Sequence, residues 1–474
     1  MEVNVIGAGL AGSECALQLA KRGIKVNLYE MRPEKMTGAH TSEKFAEFVC
    51  SNSLGAYDIT NASGLLKKEM EILGGELIKI IYECQVPAGG ALAVDRELFS
   101  SRVTEIIEHN ENINVIRKEI TEIPQGPTVI ASGPLTSDSL ALKIKEFTKS
   151  EHLYFFDAIA PIIEKDSINF DVAFYANRYD KEALMPGSLE VEQDKSQTST
   201  LPNLQASYIN CPMNKEQYEK FYNILINAPK IEQKDFEKNA KFFESCLPVE
   251  VIASRGVDTL RFGPMKPVGL VDKRTGEENY AVVQLRQDNS AKTLYNMVGF
   301  QTNLKWGAQK ELIHSIPGLE DANIVRYGVM HRNTFINSPK VLNATLQARS
   351  REDLFFAGQI TGTEGYTESI ATGMLAGINM ARFLSTFESP LPNPLPQGAR
   401  EKSLLELPKT TVLGALCAYI SDPAHEKFQP INSNWGILEP VDKTLIPKQE
   451  RRNKKFKNNL MANRSIEYLE NLAK

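Results

Sequence analysis

The chain has 474 residues, 42% of them hydrophobic and 24% charged, a balance that excludes a disordered tail, a collagen-like repeat and a disulfide-dense miniature. At ~100–200 residues per domain the length predicts two or three domains. The 54 Lys and Arg against 59 Asp and Glu leave a net charge of -5, which by itself argues against a surface coated for nucleic acid.

From the N-terminus, the first thirty residues read as one β-α-β unit. Val3–Ile6 is an apolar run suited to a strand buried on both faces. Gly7-Ala8-Gly9-Leu10-Ala11-Gly12 follows, then a helix over 13–22 and an alternating strand over 24–29 with Glu30 at its carboxyl end. A G-x-G-x-x-G turn in that context, with an acid ~20 residues on, points to a dinucleotide. Small residues let the backbone approach a pyrophosphate at the helix N-terminus, where free N–H groups favour an anion. Glu30 is expected to accept from a ribose hydroxyl. The spacing does not choose between FAD and NAD.

The apolar run 128–133 predicts another strand. Leu354–Gly358 predicts a third, leading into Gln359-Ile360-Thr361-Gly362 and a helix over 368–384. This recurrence predicts that the C-terminal part returns to the N-terminal sheet around an insertion, a plan frequent in two-domain flavoproteins, which favours FAD by analogy. Gly358, Gln359 and Gly362 join the cofactor-binding candidates. The expected fold is α/β: a Rossmann-like FAD-binding domain, discontinuous over 1–168 and 310–474, with a smaller α+β domain inserted over 169–309. The polar stretch 187–206 and the stretch 389–398, with Pro390, Pro392, Pro394 and Pro396, look like surface linkers.

Six cysteines, none spaced C-x-x-C, are too few for a disulfide framework. No stretch reaches the ~18 consecutive apolar residues of a membrane span, and the first residues lack a signal-peptide pattern. A cytosolic protein with reduced thiols and no metal site is expected. Cys15 and Cys417 lie in apolar runs and read as core residues, while Cys84 and Cys246 carry no clue. Cys50 precedes Ser51-Asn52-Ser53, residues able to cap a helix, where a dipole would favour its thiolate. Cys211, in Tyr208-Ile209-Asn210-Cys211-Pro212-Met213, precedes a turn and a helical stretch. Spacing alone leaves each thiol open to a structural or a reactive role.

The last segment differs in charge. Lys448, Arg451, Arg452, Lys454, Lys455, Lys457 and Arg464 face one acid, Glu450, a local +6 that leaves -11 on the rest of a chain with net charge -5. A basic run is commonly a solvated helix face, but positive charge concentrated in an acidic chain is also a footprint for phosphates. Arg451, Arg452, Lys454 and Lys455 are the RNA-binding candidates.

The stretch Phe45-Ala46-Glu47-Phe48-Val49-Cys50-Ser51-Asn52-Ser53-Leu54, together with Tyr208–Met213, Phe155–Pro161 and Asp258–Leu270, resembles the TrmFO family of folate- and FAD-dependent tRNA (uracil-5-)-methyltransferases. Ala357–Gly362 is shared with the related GidA/MnmG family. The resemblance implies that methylenetetrahydrofolate gives a one-carbon unit, passed by way of FAD to C5 of a T-loop uridine (m5U54) and reduced with NADPH or NADH. It implies Cys211 as the thiol that attacks uracil C6 and Cys50 as the thiol beside the flavin, two roles that could be exchanged. Arg255, Arg261 and Lys266 are candidate cations for the acidic folate tail. The same chemistry on ribosomal RNA, a small-molecule FAD/NAD(P)H oxidoreductase, and a non-catalytic tRNA-binding module are the competing readings. No protein partner is inferable.

Overall fold

A computed structural model of the chain describes residues 2–149, 153–178, 208–231, 247–272, 274–276, 278–386, 403–442, 444 and 446–473. The stretches 187–206 and 389–398, and Cys246, lie outside the described residues.

The opening strand β1 (Glu2–Ile6) runs into helix α1 (Leu10–Ala20) and returns as β2 (Lys25–Glu30). Val5 is fully buried between Leu28 of β2 and Val129 of a later strand, as an apolar run in the middle of a parallel sheet must be. Strands β3 (Ile113–Arg117), β4 (Thr128–Ile130) and β5 (Arg351–Phe356) complete the sheet, in the order β5-β4-β1-β2-β3, with Gln347–Ala348 hairpinned onto the β5 edge. A strand more than two hundred residues downstream therefore pairs with the N-terminal unit. Helix α3 (Tyr366–Ser385) packs on this sheet, α2 (Ala62–Ile72) packs on α3, and α4 (Lys454–Ala473) packs on α2. Helix α3 crosses α1 so closely that a Cβ on Gly373 would come 2.2 Å from the Ala11 carbonyl.

A second sheet is antiparallel throughout, in the order Phe174–Tyr175, Tyr208–Met213, Ala281–Gln287, Leu294–Met297, Ile162–Glu164, Ile324–Arg326. Helices Lys215–Asn227, Val249–Ala253 and Trp306–His314 supply Phe221, Val249 and Leu312 to a core separate from that of the first sheet. An antiparallel ribbon, Leu153–Ala158 with Met330–Phe335, leads the chain out and back. Because of that ribbon, the second sheet draws strands from both sides of the expected 169–309 limits.

Where the two units meet, polar groups are satisfied across the seam. Arg96 and Asp288 form a buried ion pair at 2.5 Å. Ser290 N donates to Asp95 (2.8 Å), and Tyr208 Oη donates to the Ala88 carbonyl (3.1 Å).

Candidate active site

The first cleft forms at the carboxyl ends of β1, β2 and β4, where a doubly wound sheet leaves a crevice. Gly7, Gly9, Leu10, Ala11, Glu30, Arg32, Gly133, Gly358 and Gln359 are among its walls. Gly7 (φ +96°) makes the turn, and a Cβ there would meet the Ala131 carbonyl at 2.7 Å. A Cβ on Gly12 would sit 1.8 Å from the Gly7 carbonyl, whereas nothing lies within 4 Å of one on Gly9. Gly9 thus faces open space at the start of α1, which has neither a side-chain cap nor an acid in its first turn. Those amides are positioned for an anion, so the residues present fit a dinucleotide. Ala8, Gly12 and Gly362 shape the turns without lining the cleft.

Glu30 is more occupied than the motif implies. Its carboxylate accepts from Ala8 N (3.1 Å), Arg32 N (3.1 Å), Arg32 Nε (2.9 Å) and Arg32 Nη2 (3.2 Å). Burial works against its charge, yet Arg32 holds the carboxyl below its usual range. Arg32, 1% exposed, also pairs with Glu47 at 3.2 Å. The fingerprint assigns no role to Arg32, which lies two residues beyond Glu30 and turns its guanidinium back onto that carboxylate.

A second cleft opens beside the first, and the two share Val49, Pro134, Leu135, Gln359 and Tyr366. Cys50 lines this second cleft with Ser51, Ser53, Gly55, Ser63, Glu364, Glu368 and Ser433. The expected helix N-terminus at Cys50 is not formed. The thiol sits in a bend before the strand Ser53–Ala56, which pairs with Ala91–Val94. Leu54 is buried in that pairing, and Gly55 (φ +79°) accommodates the register shift between Ser53 and Ala56.

Other groups hold the Cys50 loop. Cys50 N and Ser51 N donate to Tyr366 Oη at 2.7 and 3.2 Å, and the Tyr366 ring stands edge-on to Phe48 (4.6 Å, 84°). Arg326 Nη2 donates to the Val49 carbonyl (3.3 Å), and Arg286 Nε to Asn52 Oδ1 (3.0 Å). Asn52 in turn donates to the carbonyls of Val94 and Gln287 (3.0 and 2.9 Å). Burial lowers the Arg286 pKa; burial also works against Arg96, but Asp288 raises it on balance, and Cys50 lies within electrostatic reach of both. The expected helix dipole is therefore absent, and the charges near the thiol are those of side chains.

Cys211 lies elsewhere. It alternates with Ile209 and Met213 on the inward face of its strand, 0% exposed, in the core of the second sheet. Burial pushes its thiol well above the ordinary range. The structure does not bring it into the Cys50 cleft. Cys15 (0%) and Cys417 (2%) are core residues, and Cys84 is buried too.

Arg451, Arg452, Lys454 and Lys455 are exposed at and just before the start of α4, with Phe456 half-buried behind them. Asn453 caps this end by accepting from Phe456 N (3.1 Å). The helix docks on α2: Asn458 donates to the Thr60 carbonyl (2.9 Å) and Ser465 Oγ to Glu69 (2.6 Å). Thr60 is three residues before Ser63, which lines the Cys50 cleft, whereas none of the four basic residues is among its walls. Arg261 is engaged by Asp258 (2.8 Å) and stacks over Tyr280 (3.6 Å); neither it nor Lys266 lines either cleft.

Comparison with known proteins matches residues 2–388 to a family described as glucose inhibited division protein A. A methylenetetrahydrofolate–tRNA-(uracil-5-)-methyltransferase TrmFO from Bacillus cytotoxicus is 53% identical over 469 residues, 99% of this chain and 98% of that protein. The enzyme of the same name from Anoxybacillus flavithermus is 52% identical over 474 residues, all of both chains. Among solved structures, GidA from Aquifex aeolicus superposes with a TM-score of 0.65 at 17% identity, covering 100% of this chain and 73% of that one; at that identity the likeness speaks for the fold.

Proposed function

This chain belongs to the TrmFO family, and from that premise we infer that it methylates C5 of a uridine in tRNA with methylenetetrahydrofolate as the one-carbon donor. The observation that carries the reading is the continuity of the two clefts through Val49, Pro134, Leu135, Gln359 and Tyr366. A dinucleotide laid along the first would end beside the thiol of the second.

The amides at the start of α1 would bind the pyrophosphate, and Glu30 with Arg32 would hold the adenosine ribose. FAD, when bound there, supplies the hydride chemistry that makes a methyl from a methylene, with NADPH or NADH as the source of reducing equivalents. The remaining work belongs to side chains. Uracil C5 is a weak nucleophile until a thiolate adds to C6. We assign that addition to Cys50, the thiol that lines the cleft, in place of the Cys211 that the resemblance implied. A Cys50 sulfur–C6 bond forms, and the C5=C6 electron pair shifts toward C5 and the carbonyl at C4. Tyr366, Asn52, Arg286 and Arg326 keep the loop in place for this step. The target is a T-loop uridine, position 54, which must leave its stack to enter the cleft, while Arg451, Arg452, Lys454 and Lys455 hold backbone phosphates nearby. Action on tRNA is in keeping with a cytoplasmic protein.

The test is incubation with undermodified tRNA, methylenetetrahydrofolate and NADPH, read by nucleoside mass spectrometry. Formation of 5-methyluridine at a T-loop position that depends on folate and on a visible flavin spectrum supports the reading. Methyluridine in ribosomal RNA alone would move the substrate, and no product with either RNA would remove the reading.

A further inference from the structure

Helix α2 begins beside the Cys50 cleft and carries a buried cation that the reaction as described does not use. Lys67 is 2% exposed, yet among the described residues it makes no ion pair. Its ammonium donates to three neutral oxygens: Ser63 Oγ (2.8 Å), the Ser63 carbonyl (3.0 Å) and the Ala56 carbonyl (3.0 Å). Every donor is satisfied, and the opposite charge that acts on it, that of Glu368, stands beyond bonding distance. Burying an ammonium in that state is costly, which directs attention to what its charge polarises.

That group is Ser63, one turn before Lys67 and part of the cleft wall with Cys50. Its hydroxyl accepts from Lys67 and points its own hydrogen at the Leu54 carbonyl across 3.2 Å. Such a bond is long for O–H···O, which prefers ~2.7–2.8 Å, so the hydrogen is only loosely engaged and can turn to a better acceptor. The space over the hydroxyl is kept clear by Gly55, where a Cβ would come 2.6 Å from Ser63 Oγ.

We propose that Ser63 donates to the oxygen on which negative charge develops when the Cys50 thiolate adds to uracil C6, and that buried Lys67 acts through Ser63 as its positioning residue. The proposal rests on the reading that the Cys50 cleft receives the uridine. In the step, the S–C6 bond forms, the C5=C6 π bond breaks, and its electron pair is delocalised onto the oxygen at C4. No proton moves. Ser63 turns from the Leu54 carbonyl to that oxygen, while Lys67 strengthens the donor by remaining charged behind it. A permanently anionic ligand suits this wall less well, because Glu364 and Glu368 line the same cleft. A neutral base that becomes anionic only in the transition state gains from a preorganised donor without meeting that repulsion beforehand.

Ser63→Ala and Lys67→Met test the proposal on the full-length flavoprotein, with undermodified tRNA, methylenetetrahydrofolate and NADPH. Ser63→Ala should lower kcat by about 100-fold, the effect of losing one such donor, with the tRNA KM and the flavin spectrum unchanged. Release of tritium from tRNA labelled at uridine C5 should fall in parallel. Burial lowers the Lys67 pKa to about 8, against the opposing pull of Glu368 across the cleft wall, so wild-type kcat should decline as pH rises through that value, a limb absent from Lys67→Met. If Lys67→Met fails to fold, Ser63→Ala decides. An unchanged kcat in Ser63→Ala, or a raised KM with kcat intact, overturns the proposal. Loss of methylation in Cys50→Ala but not in Ser63→Ala sinks the donor alone; retention of methylation in Cys50→Ala sinks the reading of the cleft beneath it.

Discussion

Cys50 stands in a bend between two units of the fold, with its backbone tied to Tyr366 and its loop gripped by Arg286 and Arg326. Cys211 stands in the middle of a strand, 0% exposed and flanked by Ile209 and Met213. The two thiols have equally suggestive sequence surroundings. They differ in whether the chain around them is satisfied by a regular ladder or by side chains. At Cys211 the antiparallel pairing with Val283 takes the backbone and leaves an apolar slot for the sulfur. At Cys50 the backbone needs Tyr366 Oη and a guanidinium, and those same groups give the sulfur a polar, cationic setting. Irregular backbone supported by a rigid scaffold is where reactive side chains are found.

The sharpest way to break this comparison is Cys50→Ala. Methylation should fall by ~10³-fold or more, as when a catalytic nucleophile is removed, while the flavin spectrum survives. Alkylation of the native protein comes next. Iodoacetamide should label Cys50 roughly 100-fold faster than Cys15, Cys211 or Cys417, because a buried thiol reacts only through opening of its core; peptide mass spectrometry reads the order. Early labelling of Cys211 would erase the distinction. Reversing the charge of Arg451, Arg452, Lys454 and Lys455 should raise the tRNA KM and flatten the log–log salt slope of binding by about 3, at ~0.7 or more per lost phosphate contact. Equal salt slopes would detach the basic end from the Cys50 cleft. Smallest is Cys211→Ala, expected to cost about 1–2 kcal/mol of stability in urea unfolding, with methylation lost only in step with folding. A folded, flavin-loaded Cys211→Ala protein that makes no 5-methyluridine would mean that a different conformation delivers that thiol.

Much of the fold was legible in the sequence because its signals are local. Gly7, Gly9 and Gly12 mark a turn that few other residues tolerate, and the runs 3–6, 128–133 and 354–358 are apolar enough to demand a doubly covered parallel sheet. The core placement of Cys15 and Cys417 followed from the same logic. The helix expected at Cys50 did not form, since Ser51-Asn52-Ser53 can cap a helix or enter a strand and only the partner strand Ala91–Val94 decides. Arg286, Arg326 and Tyr366 were illegible as site residues for a related reason. Each reaches its partner through the fold, Tyr366 across 316 positions to Cys50 and Arg286 across 234 to Asn52.

The sequence alone determined that a dinucleotide turn opens the chain, that a distant strand returns to it, that the last segment is basic and that two thiols merited scrutiny. Tertiary structure decided which thiol faces a cleft, which cations surround it and where the basic helix docks. Periodicity and turn chemistry report interactions within a few residues, whereas burial and charge at a site are sums over groups brought together from the whole chain.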